Sequence, residues 1–251
     1  MRYLETREII EKWNFPKATI INRNLPKSQI FLHIKKSTDK KFIQDAVQSV
    51  YLLANFKTSN TNIPVYKDEQ KIYEEIQFFY VKTKNINNPL KIYKILSFLI
   101  PYPLVVIMRN LDKYTINTGE FQRLPSGKLK LINIYSSPKY SESDFNCVLQ
   151  KLVLKDLPNN NFKEFYDGLC NQVVTLEARE HYSKRLNTIT REEKDQLDDL
   201  SSQIEKLRTK IKREHQINRK IDMQMKLTAL KKVFLNKFNN IANEKKGKNK
   251  S

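Results

Sequence analysis

Apolar positions follow two regimes along the 251 residues. Up to residue 136 short hydrophobic runs alternate with turns, and beyond Arg191 hydrophobic residues recur at helical spacing among charges. The densest stretch is Glu75 to Arg109. In it Ile76, Phe78 and Tyr80 alternate with Phe79 and Val81, which predicts a strand covered on both faces. Asn88-Pro89 offers an N-cap followed by a first-turn proline. Ile92, Ile95, Leu96 and Leu99 then take the i, i+3, i+4, i+7 positions of one buried helix face. Pro101 and Pro103 end that helix, and the wholly apolar Leu104 to Met108 reads as a central strand. A connection of this length predicts parallel strands joined by a right-handed crossover.

The flanking stretches extend this core. Residues 1–15 predict a short helix docked through Leu4, Ile9, Ile10 and Trp13. Two prolines and Asn22-Arg23-Asn24 keep the next stretch extended. Its candidate binding groups are Asn22, Arg23 and Lys27, since polar loop residues often carry function, although solvated loop residues are the commoner case. Thr38 to Phe56 reads as one helix, with a stripe of Phe42, Ile43, Ala46, Val47, Val50, Leu53 and Ala54. Strands follow at Ile63 to Tyr66, at Tyr114 to Ile116 and at Leu129 to Tyr135. Helices are expected at Phe145 to Leu157 and Phe162 to Arg185.

From Arg191 one long helix is expected. Leu197, Leu200, Ile204, Leu207 and Ile211 form a heptad seam suited to a coiled coil or a helical hairpin. Glu214 and Asn218 break it, and Ile217, Ile221, Met225, Leu227 and Leu230 resume it in a shifted register. The expected fold class is therefore α/β. A small mixed sheet with flanking helices (1–136) precedes a helical connector (137–190), a long coiled-coil-like helix (191–243) and a basic tail (244–251).

Charge adds a partner class. The net +19, from 46 basic and 27 acidic residues, favours nucleic acid or an acidic protein surface. The excess is spread along the chain, so lysine-rich usage explains it equally well. Cys147 and Cys170 have no metal or disulfide spacing. No apolar run is long enough to span a membrane, and the N-terminus lacks a signal core, so a cytoplasmic protein is expected. Four glycines leave no Walker loop and no dinucleotide fingerprint. His33, His181 and His215 form no ligand pair. No cofactor and no metal are expected.

One enzymatic pattern deserves testing. A helix followed by strands, with acids and a core-strand lysine, is similar to the restriction-endonuclease-like nucleases. Their metal site needs an Asp on one strand and Glu-x-Lys on the next, two carboxylates for the cation and a lysine for the water. The candidates are Asp68, Glu75 and Lys82. However, Tyr80 stands two before Lys82, where a carboxylate belongs, and Glu75 lies at the far end of that strand. The commoner reading makes Lys82 and Lys84 a solvated strand end.

Five stretches carry a family resemblance: FPKATIINRNLPK, KTSNTNI, FFYVKTK, IPYPLVVIM, and REHQINRKIDMQMKLTALKK near the C-terminus. Together they resemble a bacterial family known as domain of unknown function 4391, in which an E-x-Q-x-N-R-K run is typical. The likeness covers nearly the whole chain. Tyr80-Val81-Lys82 departs from the family's usual glutamate-rich strand ending in Leu-Lys. His215 and Met223 replace the more usual lysine and glutamate. The resemblance implies an accessory or adaptor subunit of a DNA-directed defence or restriction–modification system. Its partner would be a helicase or methyltransferase subunit, with DNA or RNA as a second ligand, and with homodimerisation through the C-terminal helix as a further expectation. Arg213, Gln216, Asn218, Arg219 and Lys220 are the candidate contacts there, because a polar break in a heptad marks a register or contact point. The alternatives are a divergent metal-dependent nuclease and a homodimeric structural protein.

Overall fold

A computed structural model describes residues 5–30, 32–84, 86–184, 186 and 188–244. The chain forms two compact units, Met1–Val173 and Val174–Ser251. The first contains, in order, α1 (Thr6–Trp13), β1 (Ile20–Leu25), α2 (Lys27–Ile30), α3 (Ser37–Ala46), β2 (Val47–Lys57), α4 (Thr58–Thr61), β3 (Tyr66–Lys67) and β4 (Ile72–Tyr73). It continues with β5 (Glu75–Thr83), α5 (Leu90–Leu99), β6 (Leu104–Asn110), β7 (Lys113–Arg123), β8 (Leu129–Ser136), α6 (Glu142–Lys151) and the first half of α7 (Phe162–His181). The main sheet has the order β1-β2-β5-β6-β7-β8, while β3 and β4 pair separately. Among the described residues only β5 and β6 are parallel neighbours, and α5 is their connection. The mixed α/β fold read from the pattern is the one observed, and the strand–helix–strand block lies at its centre.

In the first unit the strand expected at Ile63 to Tyr66 is reduced to Tyr66–Lys67, and a larger difference lies before it. The helix expected over Thr38 to Phe56 ends at Ala46, and the chain continues without a break into β2. Val47, Val50, Tyr51 and Phe56 favour extended backbone, and pairing with both β1 and β5 outweighs the helical stripe. A further irregularity lies in β1. Asn22 takes φ 46°, and the pairing shifts register between Ile20 and Arg23, as at a β-bulge.

The core of this unit is aromatic. Phe78 lies edge-on to Trp13 at 5.5 Å and to Phe15 at 5.0 Å, and is tilted against Phe56 at 4.9 Å. Trp13 is packed as expected, and its indole Nε1 donates to Leu152 O at 2.9 Å, which ties α1 to the end of α6. Leu4, the fourth docking residue expected for α1, lies outside the described residues. Elsewhere Tyr93 and Tyr166 both donate to Leu104 O, at 3.0 and 2.7 Å. Gly119 makes this closeness possible, because a Cβ there would lie 2.6 Å from Leu131 and 2.8 Å from the Tyr93 hydroxyl.

The second unit comprises the rest of α7, α8 (Arg191–Arg213) and α9 (Ile217–Glu244). Thr190 opens α8 with a capping box: its hydroxyl accepts from Glu193 N, and Glu193 Oε2 accepts from Thr190 N. Leu197 and Ile204 of α8 are buried, as are Leu227 and Ile241 of α9, and the two helices pack against each other. The single helix expected from Arg191 is thus a helical hairpin. It breaks where the seam loses its apolar residues. Glu214 leaves helical geometry with ψ 130°, and its carboxylate accepts from His215 N at 3.0 Å and Gln216 N at 2.9 Å. Two backbone donors at the head of α9 are satisfied in this way. No described helix is long and apolar enough to cross a membrane. The basic tail from residue 245 lies outside the described residues.

Candidate functional site

The carboxyl ends of β5 and β6 are where an open α/β sheet most often receives a ligand. Lys82 and Arg109 stand there as register partners on the two parallel strands. Neighbouring strands are about 4.8 Å apart, so the two backbones are adjacent, while the Lys82 ammonium lies over Tyr51 of β2, on the other side of β5. Ser49 of β2 pairs with Lys82 on one side, and Tyr114 of β7 pairs with Arg109 on the other. Lys82 Nζ lies over the Tyr51 and Tyr80 rings, 5.6 and 5.7 Å from their centroids. These two rings stack at 6.3 Å. Glu5, at the start of α1, pairs with Lys82 at 3.7 Å. Burial first, then Tyr114, holds the Tyr80 hydroxyl far above its ordinary pKa, with Arg109 acting in the opposite direction.

The base of this cluster is well braced. Asn110 Oδ1 accepts from Ile86 N at 3.2 Å, and its Nδ2 donates to Ile86 O at 2.9 Å. Thr83 Oγ1 donates to Arg109 O at 3.0 Å. Lys84 N donates to Ala46 O at 2.8 Å. The chain leaving β5 is therefore held to β6 and to the last residue of α3.

Asp68, Glu75 and Lys82 are not brought together. Asp68 organises the turn between β3 and β4, accepting from the Tyr66 hydroxyl and from Gln70 N at 2.7 Å each, and from Lys71 N. The tyrosine hydrogen bond, then the backbone ones, draw its carboxyl below the ordinary range. Glu75 is engaged at the other end of β5 by Asn55 Nδ2 at 2.9 Å and Lys57 Nζ at 3.1 Å. Seven residues of strand separate it from Lys82, roughly 23 Å. Among the described residues, no three His, Cys, Asp or Glu side chains are grouped so that they could hold a metal ion.

The other candidates also have definite places. Arg23 is exposed, whereas Lys27 turns inward and donates to Val47 O at 2.8 Å. Arg213 ends α8, and Gln216, Asn218, Arg219 and Lys220 surround the head of α9, all of them exposed. Adjacent faces of one continuous helix were expected for them; they border a turn instead.

A second polar cluster lies within the helical unit. Lys194 of α8 sits between Asp198, at 2.5 Å, and Glu177, at 3.4 Å, and Tyr182 donates to Asp198. With His181 and Ser201 they line a cavity of about 270 Å³. Burial raises the Glu177 pKa above its ordinary value against the pull of Lys194. Burial also opposes the charge on Lys194, but the hydrogen bond to Asp198 and the two acids outweigh it and raise its pKa. Sequence reasoning passed over Arg109, Glu5 and Lys194. Only the i, i+4 spacing of Lys194 and Asp198 was visible locally; the other partners come from distant elements.

The family model described as Domain of unknown function (DUF4391) matches residues 13–233. The chain belongs to this family. No curated protein and no solved structure matches it. The DUF4391 match includes Lys82, Arg109, the Lys194 cluster and the α8–α9 turn, while Glu5 and the last turns of α9 fall outside it.

Proposed function

We propose that the protein is an accessory subunit of a bacterial DNA-directed defence or restriction–modification system. In this reading it binds a partner protein and nucleic acid and performs no catalysis of its own. The observation that carries the reading is a second apolar face on α9. Leu227 and Ile241 are buried, yet Ile217, Ile221 and Met225, spaced i, i+4, i+8, are 72%, 54% and 61% exposed. Such a stripe on an already packed helix is the mark of a helix-in-groove or helix-on-helix contact. Its occupant follows from charge. Arg219, Lys220, Lys226, Lys231, Lys232 and Lys237 outnumber Asp222 and Glu244 on this helix. A second copy would bring the same cations to the contact, whereas an amphipathic helix rich in Glu and Asp complements them. The partner class is therefore an acidic amphipathic helix on a helicase or methyltransferase subunit.

Co-expression with a helicase subunit and a methyltransferase subunit from the same genome, followed by gel filtration, tests this. Co-elution with one of them, abolished in Ile221→Glu/Met225→Glu, is expected. Co-elution that survives the double variant removes α9 from the reading. Light scattering that gives a dimer mass for the isolated protein replaces it with the homodimeric structural reading.

One observation favours the metal-dependent nuclease as a second reading: Lys82 stands at the carboxyl end of a central strand with Glu5 beside it. That reading requires magnesium-dependent cleavage of DNA that is lost in Lys82→Ala, with Asp68→Ala equally inactive. Cleavage that persists in Asp68→Ala would fit the turn-forming role of that residue and would move the metal site elsewhere.

A further inference from the structure

We infer that the tip of the α8–α9 hairpin, residues 206–220, is where the protein meets the phosphate backbone of a nucleic-acid duplex. This surface rests on the nucleic-acid part of the proposed function and not on its partner contact.

Charge is divided unevenly along the hairpin. Residues 191–205 carry two cations and six acids, whereas residues 206–220 carry seven cations and one acid. Close to a third of the chain's net +19 is therefore gathered at the tip. All seven basic side chains are exposed. Lys206, Lys210 and Arg213, spaced i, i+4, i+7, share the face of α8 opposite the buried Leu197 and Ile204. Of the seven, only Arg208 forms an ion pair among the described residues, with Glu205. Glu214, the one acid of the tip, has its carboxylate engaged by His215 N and Gln216 N. One carboxylate cannot answer six cations.

Helix polarity accounts for only part of this pattern. Lys210, Lys212 and Arg213 stand in the last turn of α8, where cations favour a helix. Arg219 and Lys220 stand in the opening turn of α9, where the helix's own partial charge is already positive. The first turns of α1, α6 and α8 contain acids, but that of α9 contains none. Charge kept where the fold gains nothing from it is available to an outside anion.

The surroundings select the ligand. Residues 206–220 contain no Phe, Tyr or Trp, so the stacking platform on which single strands bind is missing. A duplex needs no such platform, because it presents one negative charge per about 1.7 Å of its axis. Apart from Ile217, where the open stripe of α9 begins, no large apolar residue of the tip is exposed to anchor a protein. Two packed helices are together wider than a major groove of about 12 Å. The tip therefore meets the backbone, and its binding is independent of sequence.

Fluorescence anisotropy with the full chain and a labelled DNA duplex, at about 50 and about 200 mM salt, tests this. Lys210→Gln/Arg213→Gln/Arg219→Gln/Lys220→Gln is expected to weaken binding at least about tenfold at the lower salt. It should also reduce the salt slope by about 3.6, the value for four phosphates. Lys226→Gln/Lys231→Gln/Lys232→Gln/Lys237→Gln removes the same charge from the rest of α9 and should change the slope by less than about 1. Equal losses in the two variants overturn the inference, because they report overall charge alone. Absence of duplex binding by the unmodified protein at the lower salt overturns it as well. Tighter binding of the matching single strand than of the duplex rejects the duplex as ligand. A tip variant that keeps its duplex affinity but loses co-elution with the partner reassigns these cations to the protein contact. Arg219→Gln/Lys220→Gln guards against a variant that fails to fold. Relieving the head of α9 of two cations should leave the urea midpoint unchanged or raised, while the slope still falls by about 1.8. An unchanged slope in this folded variant counts against the tip.

Discussion

Lys194 and Lys82 keep 10% and 14% of their side chains in solvent, but their surroundings are unlike. Lys194 is clasped by Asp198 and Glu177, and Asp198 is held in turn by Tyr182. Lys82 rests on two tyrosine rings, with a cation as its strand neighbour and one distant, solvated carboxylate. A lysine whose charge is answered within the fold serves the fold. One that is only partly answered leans on the rings beneath it instead. The two units differ in the same sense: the sheet unit is closed by aromatic packing, whereas the helical unit combines a polar clasp with an apolar face left open.

The largest effect should come from the aromatic packing. Phe78→Ala removes a fully buried ring that touches Trp13, Phe15 and Phe56, and should cost about 3–5 kcal/mol in urea unfolding. Lys194→Met ranks next. It leaves Glu177 and Asp198 facing each other without their cation, a change that costs about 3–5 kcal/mol when fully buried. Both acids are 41% exposed, so about 2 kcal/mol is expected after solvent screening. Lys82→Met, in contrast, should cost under about 1 kcal/mol. Equal losses at the two lysines would erase the distinction between them.

A smaller effect separates them by pH. The folded-state pKa of Glu177 lies above its ordinary 4.5. Between the two values the folded chain holds more protons than the unfolded one, so stability falls as pH rises from 4.5 through the folded value. Glu177→Gln should flatten that fall in thermal melts taken across the acid range. A Glu177→Gln variant with the same pH profile as the parent would show that the clasp does not desolvate this carboxyl.

Much of the fold was legible because its signals are local. The β5–α5–β6 block follows from alternation, one helical stripe and two prolines, and the fold contains it as parallel strands around a helix. The Val47 to Phe56 stretch was not, because Val47, Val50, Leu53 and Ala54 fit a helical stripe as well as a strand, and only pairing to β1 and β5 decides between them. The seam break at Glu214 and Asn218 was visible, but its outcome as a turn depends on the Glu214 carboxylate reaching two amides. The site was least legible. Lys82 stood out as a lysine on a core strand, but Arg109 and Glu5 join it only through sheet register and the docking of α1.

The smallest stability effect is also the most discriminating for function. Ile221 is 54% exposed and Met225 61%, so polar replacements there remove little buried surface. Ile221→Ser should change unfolding stability by no more than about 0.5 kcal/mol. Leu227→Ser, six residues further along on the buried face at 5% exposed, should cost several times more, because it opens the packing between α8 and α9. If Ile221→Ser proves as costly as Leu227→Ser, that face is already covered within the chain and is not open to a partner. A silent Ile221→Ser that still abolishes the partner complex would mean that natural selection keeps an isoleucine in water for the contact alone.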